Sequence, residues 1–91
     1  SGLAGQTLIR PHYGYQILGI GEVYYRLADY DKALEYHFKA LDISKKILGE
    51  NHTDTATVYN SIGLVYHKQL DYDNALKFYL NCLDIRKKVL G

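Results

Sequence analysis

A 42-residue internal repeat constrains this chain more than any other feature. Residues 20–49 read IGEVYYRLADYDKALEYHFKALDISKKILG, and residues 62–91 read IGLVYHKQLDYDNALKFYLNCLDIRKKVLG. Of the 33 aligned pairs from Ile17/Tyr59 to Gly49/Gly91, 16 are identical. A repeat of this length is one supersecondary unit, which buries its apolar face only by stacking on a neighbour. The chain is therefore better suited to form a binding surface than a catalytic site.

Apolar side chains recur with helical spacing in both copies of the repeat. The longer stripe follows an i, i+3, i+4, i+7 pattern and comprises Tyr30, Ala33, Leu34, His37, Phe38, Leu41 and Leu48, repeated at Tyr72, Ala75, Leu76, Tyr79, Leu80, Leu83 and Leu90. A shorter stripe precedes each of these. The pattern predicts four helices, at about 12–27, 30–48, 54–69 and 72–90, and an all-α fold of antiparallel helical hairpins.

Residues at the predicted helix starts fit known preferences. Pro11 suits the first turn of the first helix, where its missing N–H costs nothing. Asp29 and Asp71 can cap the second and fourth helices, and Thr53 or Asp54 can cap the third. These positions agree with the boundaries that the apolar stripes predict.

The repeats also set the predicted domain boundaries. Residues 11–52 form the first repeat and residues 53–91 the second. Gly49 and Gly91 suit the C-terminal caps of the two longer helices. Residues 1–10 form an N-terminal segment, either the remainder of a preceding repeat or a sequence added for expression, and we expect it to be partly ordered.

Composition argues against several classes of partner. The chain has 11 basic and 10 acidic residues, a formal charge of +1, which gives no electrostatic case for binding nucleic acid or an anionic membrane. No apolar run approaches the roughly 18 residues of a membrane span. The one cysteine, Cys82, excludes an internal disulfide. We therefore expect an intracellular, cytoplasmic chain with neither nucleic acid nor membrane as a partner.

No set of residues predicts a metal site or an enzyme. The four histidines are not spaced four residues apart, as paired metal ligands on one helix face would be. We interpret His37 as a packed core histidine, and Cys82, which replaces Ala40 in the repeat, as a buried thiol. A phosphate-binding loop, a Ser/His/Asp set and a carboxylate pair are all missing from the sequence. We expect no catalytic residue, no metal and no cofactor.

Small and aromatic residues recur together at characteristic positions. The small residues are Gly21/Gly63, Ala33/Ala75 and Ala40/Cys82, and the aromatic pair is Tyr24/Tyr66. In these residues the chain resembles the tetratricopeptide repeat (TPR) family over roughly residues 11–91. Ile17 and Tyr59 stand where the family often has tryptophan. The resemblance implies helical hairpins stacked as a short right-handed superhelix, an α-α solenoid.

The 42-residue period resembles the long-repeat variety of the family found in kinesin light chains and nephrocystin-like proteins. Its turn, G-x-N-H-P-D-x-A, is similar to GENHTDTA at residues 49–56, with Thr53 in place of proline and His52 as a residue that orders the loop. The family usually has glycine between the two helices of a hairpin, whereas this chain has Ala28 and Leu70. We expect either a different turn there or a continuous helix, which would favour domain swapping.

The resemblance implies that the first helix of each repeat lines a concave, peptide-binding groove. The matching positions are Tyr15, Leu18, Glu22, Tyr25 and Arg26 in the first repeat and Thr57, Asn60, Leu64, His67 and Lys68 in the second. Asn60 is the foremost candidate to hold a peptide backbone, and Arg26 and Lys68 can pair with an acidic side chain. Glu22 argues against the carboxylate clamp of chaperone-tail receptors. The alternative is that these are ordinary solvated residues.

Two functions stay open at this stage. The first is a protein–protein interaction scaffold, part of a larger repeat protein, that binds a partner segment mixing acidic and apolar residues. The second is self-association, by dimerisation or exchange of a helical hairpin. It is suggested by an uncovered flank that comprises Phe78, Leu80, Ile85 and Val89, because two repeats leave one face of the last helix without a neighbour.

Overall fold

Four α-helices form the protein, as seen in a computed structural model that describes the backbone of residues 2–91 and the side chains of residues 13–91. The helices are α1 (Gly2–Arg26), α2 (Tyr30–Ile47), α3 (Thr53–Lys68) and α4 (Tyr72–Leu90). The main packing interfaces join α1 to α2, α2 to α3 and α3 to α4, whereas α1 and α3 touch only weakly. The predicted all-α arrangement of stacked hairpins is confirmed, and the last three helices begin and end within one residue of their predicted bounds.

The first helix is longer than the sequence predicts. It begins at Gly2 instead of near residue 12, so Pro11 lies in its interior and not in its first turn. A proline removes one backbone donor, but the helix can continue around it when neighbouring turns are satisfied. The segment 1–10 is therefore helical in backbone from Gly2, and its side chains lie outside the described residues.

Each hairpin turns through a residue in the left-handed backbone region. Ala28 and Leu70 have φ values of 61° and 64°. The N–H of Asp29 donates to the carbonyl of Tyr24 at 2.9 Å, and the N–H of Ala28 donates to Tyr25 at 3.0 Å. This pair of bonds is a Schellman motif, which normally has glycine at the left-handed position. The turn therefore has the usual geometry of the family, although alanine or leucine replaces the glycine that this geometry favours. The expectation of a continuous helix is wrong.

Glycine at these turns is expected to stabilise the protein. A side chain in the left-handed region costs about 1–2 kcal/mol, and glycine gives back about 0.5–1 kcal/mol through its more flexible unfolded state. Ala28→Gly and Leu70→Gly should each raise the free energy of unfolding by about 0.5–1 kcal/mol, measured by urea denaturation. The control Gln69→Gly, at a neighbouring position with φ of −78°, should lower it. A loss of stability in both turn variants would contradict the strain argument.

The helix caps follow the sequence with one correction. Asp29 and Asp71 cap α2 and α4, each accepting from a backbone N–H three residues later at 3.3 Å. The cap of α3 is His52 and neither Thr53 nor Asp54, because Nδ1 of His52 accepts from the N–H of Asp54 at 3.0 Å. A neutral imidazole nitrogen can replace the usual hydroxyl or carboxylate oxygen at this position. His52 thus orders the inter-repeat loop, as predicted.

Two aromatic rings pack directly on glycines in the helices opposite them. The ring of His37 in α2 lies against Gly21 of α1, and the ring of Tyr79 in α4 lies against Gly63 of α3. His37 is completely buried, and neither ring nitrogen has a hydrogen-bond partner in the described part of the chain. The prediction of a packed core histidine is confirmed. Burial lowers the pKa of His37 to about 4, so the ring is neutral near pH 7.

The interface between the repeats gives equivalent positions of the two repeats different solvent exposure. Leu41 of α2 is 6% exposed because α3 covers it, whereas its counterpart Leu83 of α4 is 50% exposed. Phe78 and Ile85, predicted to lie on the uncovered flank, are buried instead. They occupy the face of α4 that meets the rest of the core, where Phe78 packs edge-on against Phe38. The exposed flank comprises Leu76, Leu80, Leu83 and Leu90, which share one face of α4, and Val89 is exposed on a different face.

Candidate functional site

All ten predicted groove residues lie on α1 and α3, the first helix of each hairpin. Six of them are exposed, namely Tyr15, Arg26, Thr57, Leu64, His67 and Lys68; four are half-buried, namely Leu18, Glu22, Tyr25 and Asn60. They form no single cluster. One group lies where α3 begins, another lies where α1 and α3 end, and Asn60 and Leu64 lie between these two groups.

A cavity of about 140 Å³ opens where α3 begins. Three of the predicted residues, Tyr15, Leu18 and Thr57, line it. Among the described side chains, the remaining lining comes from Gly14 of α1, from Ala40, Ile43, Ser44 and Ile47 of α2 and its C-cap Leu48, and from Asp54 and Val58 of α3. The lining is mainly apolar, and carbonyl or charged groups are few. We refer to this space as the α1–α3 cavity.

Asp54 and Tyr15 form a polar contact at the cavity. The Tyr15 hydroxyl donates to Oδ2 of Asp54, which joins α1 to α3 across 39 residues of sequence. This hydrogen bond raises the pKa of Tyr15, and the negative charge of Asp54 adds to the increase. The sequence suggested Asp54 only as a helix cap. The signal that could have revealed its second role is its position in the first turn of α3, beside a helix predicted to line the groove.

A buried hydrogen-bond network holds Ser44, one of the residues that line the cavity. The hydroxyls of Ser44 and Thr55 lie 2.7 Å apart, and the Thr55 hydroxyl donates to the carbonyl of Gly49 at 2.8 Å. Gly49 closes α2 with a φ of 96°, which favours glycine. The network ties the end of α2 to the start of α3, so the cavity walls are held by satisfied polar groups. Sequence reasoning missed the contribution of α2, because the gap between α1 and α3 exposes it.

At the opposite end of the two helices lies a cluster of rings. His67 is within hydrogen-bond distance of the Tyr79 hydroxyl, at 3.3 Å, and packs edge-on against Tyr72 and Tyr79. Burial raises the pKa of Tyr79, and the nearby Tyr25 raises it further. Tyr25 also packs against Tyr30. His67 and Tyr25 are therefore engaged with neighbouring rings, although both keep part of their surface exposed.

The two basic residues of the predicted groove differ in their surroundings. Arg26 lies 3.8 Å from Glu22 of the preceding helical turn, whereas Lys68 forms none of the ion pairs found among the described side chains. Asn60 is half-buried on α3, and its side chain takes part in none of the hydrogen bonds found among the described residues. Its amide is thus available to a ligand. Lys68 is thus a cation at this end of the surface, whereas the cavity end carries the carboxylate of Asp54.

Within the part of the chain that the structure describes, no three histidine, cysteine or carboxylate side chains come close enough to hold a metal ion. Cys82 is buried at 3% exposure, as predicted for a core thiol. None of the described helices combines the length and the apolar character needed to cross a membrane.

Comparisons with known proteins agree with the architecture. A family model described as "Tetratricopeptide repeat" matches residues 15–88. The chain is also similar to a nucleotide-binding leucine-rich repeat (NLR)-like protein of Hyaloscypha variabilis (strain UAMH 11265 / GT02V1 / F), with 50% identity over 36 residues. That alignment covers 40% of this chain and 4% of the related protein.

Proposed function

Because the chain belongs to the tetratricopeptide-repeat family, a family of interaction scaffolds, we propose that it binds a peptide or partner segment on the surface formed by α1 and α3. The observation that carries this proposal is the α1–α3 cavity, an apolar recess beside exposed polar side chains. Binding sites in proteins commonly combine an apolar recess with a few oriented polar groups. We also propose that the chain is of the long-repeat variety, which its 42-residue spacing supports, and is part of a larger repeat protein.

Asn60 is expected to hold the main chain of the bound segment. Its side-chain amide offers a donor and an acceptor, the pair that an extended peptide backbone requires. Peptides selected from a random display library against the immobilised chain provide the ligands, and fluorescence anisotropy gives their affinities. Asn60→Ala should weaken binding about five- to tenfold, which corresponds to the roughly 1 kcal/mol that a net hydrogen bond contributes.

Asn81→Ala, on α4 outside this surface, is the matched control and should leave the affinity unchanged. Failure to select any saturable peptide would contradict the proposal of a scaffold. Equal affinities for the two variants and the unaltered chain would instead remove Asn60 from the site.

Self-association is a second candidate function, favoured by the exposed flank of α4. Leu80 and Leu83 are 55% and 50% exposed, and they occupy the positions through which the first repeat meets the second. Exposed leucines that are neighbours on one helix face favour burial against a partner. We propose that two chains bury these flanks together, by dimerisation or by exchange of a hairpin. In a longer protein, a following repeat would occupy the same face.

Light scattering after size exclusion tests the second candidate. The unaltered protein is expected to have the molar mass of two chains over a range of concentrations. The double variant Leu80→Lys/Leu83→Lys should have the molar mass of one chain. Leu27→Lys removes a still more exposed apolar side chain at a hairpin turn, 68% exposed, and should not change the mass. A mass of one chain at every concentration would exclude self-association of the unaltered protein.

A further inference from the structure

The α1–α3 cavity has a size and charge that define its ligand. We propose that it accepts one apolar group of leucine or phenylalanine size that is adjacent to a positive charge. In a protein ligand this is an apolar anchor residue next to lysine or arginine. That last identification rests on the proposed function, whereas the chemistry of the cavity itself does not.

The volume of the cavity sets the size of the apolar group. At about 140 Å³, the cavity is close to the apolar space of roughly 150 Å³ that binds benzene when engineered into a protein core. Leu18, Ile43, Ile47 and Val58 supply most of its apolar wall. A branched aliphatic group or a single six-membered ring fits this volume. The Ser44 hydroxyl in the lining is already paired with the Thr55 hydroxyl, so it does not compete for the ligand.

The described side chains give the cavity a negative charge. Asp54 lines it, and no lysine or arginine among the described side chains forms an ion pair with this carboxylate. The Tyr15 hydroxyl donates to one carboxylate oxygen and leaves the other free of described side-chain partners. The start of α3 contributes a partial charge of about +0.5, which is smaller than the full negative charge of Asp54. A cation beside the apolar group is therefore favoured over an anion.

The position of Lys68 predicts where the charged residues of a bound segment lie along α3. Lys68 lies 14 residues after Asp54 on α3, which places the two about 21 Å apart along the helix axis. An extended chain rises about 3.3 Å per residue, so a segment lying along α3 spans this distance in about six residues. The segment then carries its cation and apolar anchor at the start of α3 and an acidic residue near Lys68.

Two small probes test the cavity without a peptide. The probes are 4-phenylbutylamine and 4-phenylbutyrate, which share an apolar group and differ in charge. Nuclear magnetic resonance of the methyl groups should show shifts at Leu18, Ile43 and Val58, with the amine binding at least threefold more tightly than the acid at low salt. Asp54→Asn should abolish this preference. Asp73→Asn, the matched change in the first turn of α4, should preserve it. Absence of shifts at these methyls, or a preference unchanged in Asp54→Asn, would overturn the inference.

Peptides test the protein ligand separately. Capped peptides with leucine next to lysine should bind about fivefold more tightly than the same peptides with glutamate in place of lysine. Ala40→Leu fills the cavity from α2 and should weaken peptide binding at least tenfold. Circular dichroism checks that the helix content of this variant is unchanged. If Ala40→Leu does not fold, Asp54→Asn supplies the test. Library peptides that bind Ala40→Leu and Asp54→Asn as tightly as they bind the unaltered protein would overturn the inference and would still support the scaffold function. Amine binding in the cavity with no peptide bound would support the inference and contradict the scaffold function.

Discussion

Replacing Gly21 by alanine is expected to destabilise the protein by about 2 kcal/mol. A Cβ atom at Gly21 would lie 2.5 Å from Nδ1 of His37 and 3.2 Å from the carbonyl oxygen of Ala33. Neither neighbour moves easily, because the His37 ring is fully buried and the carbonyl belongs to the backbone of α2. Alanine gains about 1 kcal/mol of helix propensity over glycine, which reduces the cost of the clash without reversing it.

Gly19 provides the matched control two residues away in the same helix. A Cβ atom there meets nothing within 4 Å, so Gly19→Ala should show the propensity gain alone and stabilise the protein by about 1 kcal/mol. Thermal unfolding measures both variants, with a shift of roughly 4–8 °C for each kcal/mol in a domain of this size. The double variant Gly21→Ala/His37→Ala should relieve the clash, although it leaves a cavity. Equal gains in stability for Gly19→Ala and Gly21→Ala would show that α1 and α2 do not pack this closely.

Acidification is expected to remove up to about 3 kcal/mol of stability through His37 alone. Burial lowers the pKa of this histidine in the folded protein from 6.5 to about 4. Between these values the unfolded chain binds a proton that the folded protein excludes. The free energy of unfolding therefore falls as the pH decreases from about 6.5 to about 4, by about 1.4 kcal/mol for each pH unit. Above pH 6.5 this contribution is fully present.

His37→Tyr separates this effect from the titration of carboxylates. Tyrosine occupies the equivalent position in the second repeat, where Tyr79 lies against Gly63 as His37 lies against Gly21. Urea denaturation at several pH values should show a markedly shallower loss of stability for the variant between pH 6.5 and 4. The same slope in both proteins would mean that His37 takes up its proton in the folded state without penalty.

The sequence predicted the helices because their signals are local. Apolar spacing placed α2, α3 and α4, and Asp29 and Asp71 marked two helix starts through hydrogen bonds to residues three positions away. Pro11 was a misleading signal, since α1 continues through it. His52 was missed as a cap because histidine seldom has that role, although its part in ordering the loop was predicted.

The site was predicted less completely than the fold. All ten candidate residues lie on the expected helices, but only Tyr15, Leu18 and Thr57 line the cavity. The role of Asp54 depends on a contact with a side chain 39 residues earlier, and no periodic pattern encodes a contact of that kind. Which of the candidates contact a partner stays a prediction.

By itself, the sequence determined the repeat, the helical hairpins and the burial of His37, because each depends on spacing within one 42-residue unit. Only the tertiary structure decided how two nearly identical units differ. Leu41 is buried and Leu83 exposed because α3 covers α2, while no described element covers α4 in the same way. The left-handed turns at Ala28 and Leu70 arise where packing between helices outweighs the conformational preference of a single residue. The α1–α3 cavity depends on how three helices pack together, because its described lining comes from α1, α2 and α3.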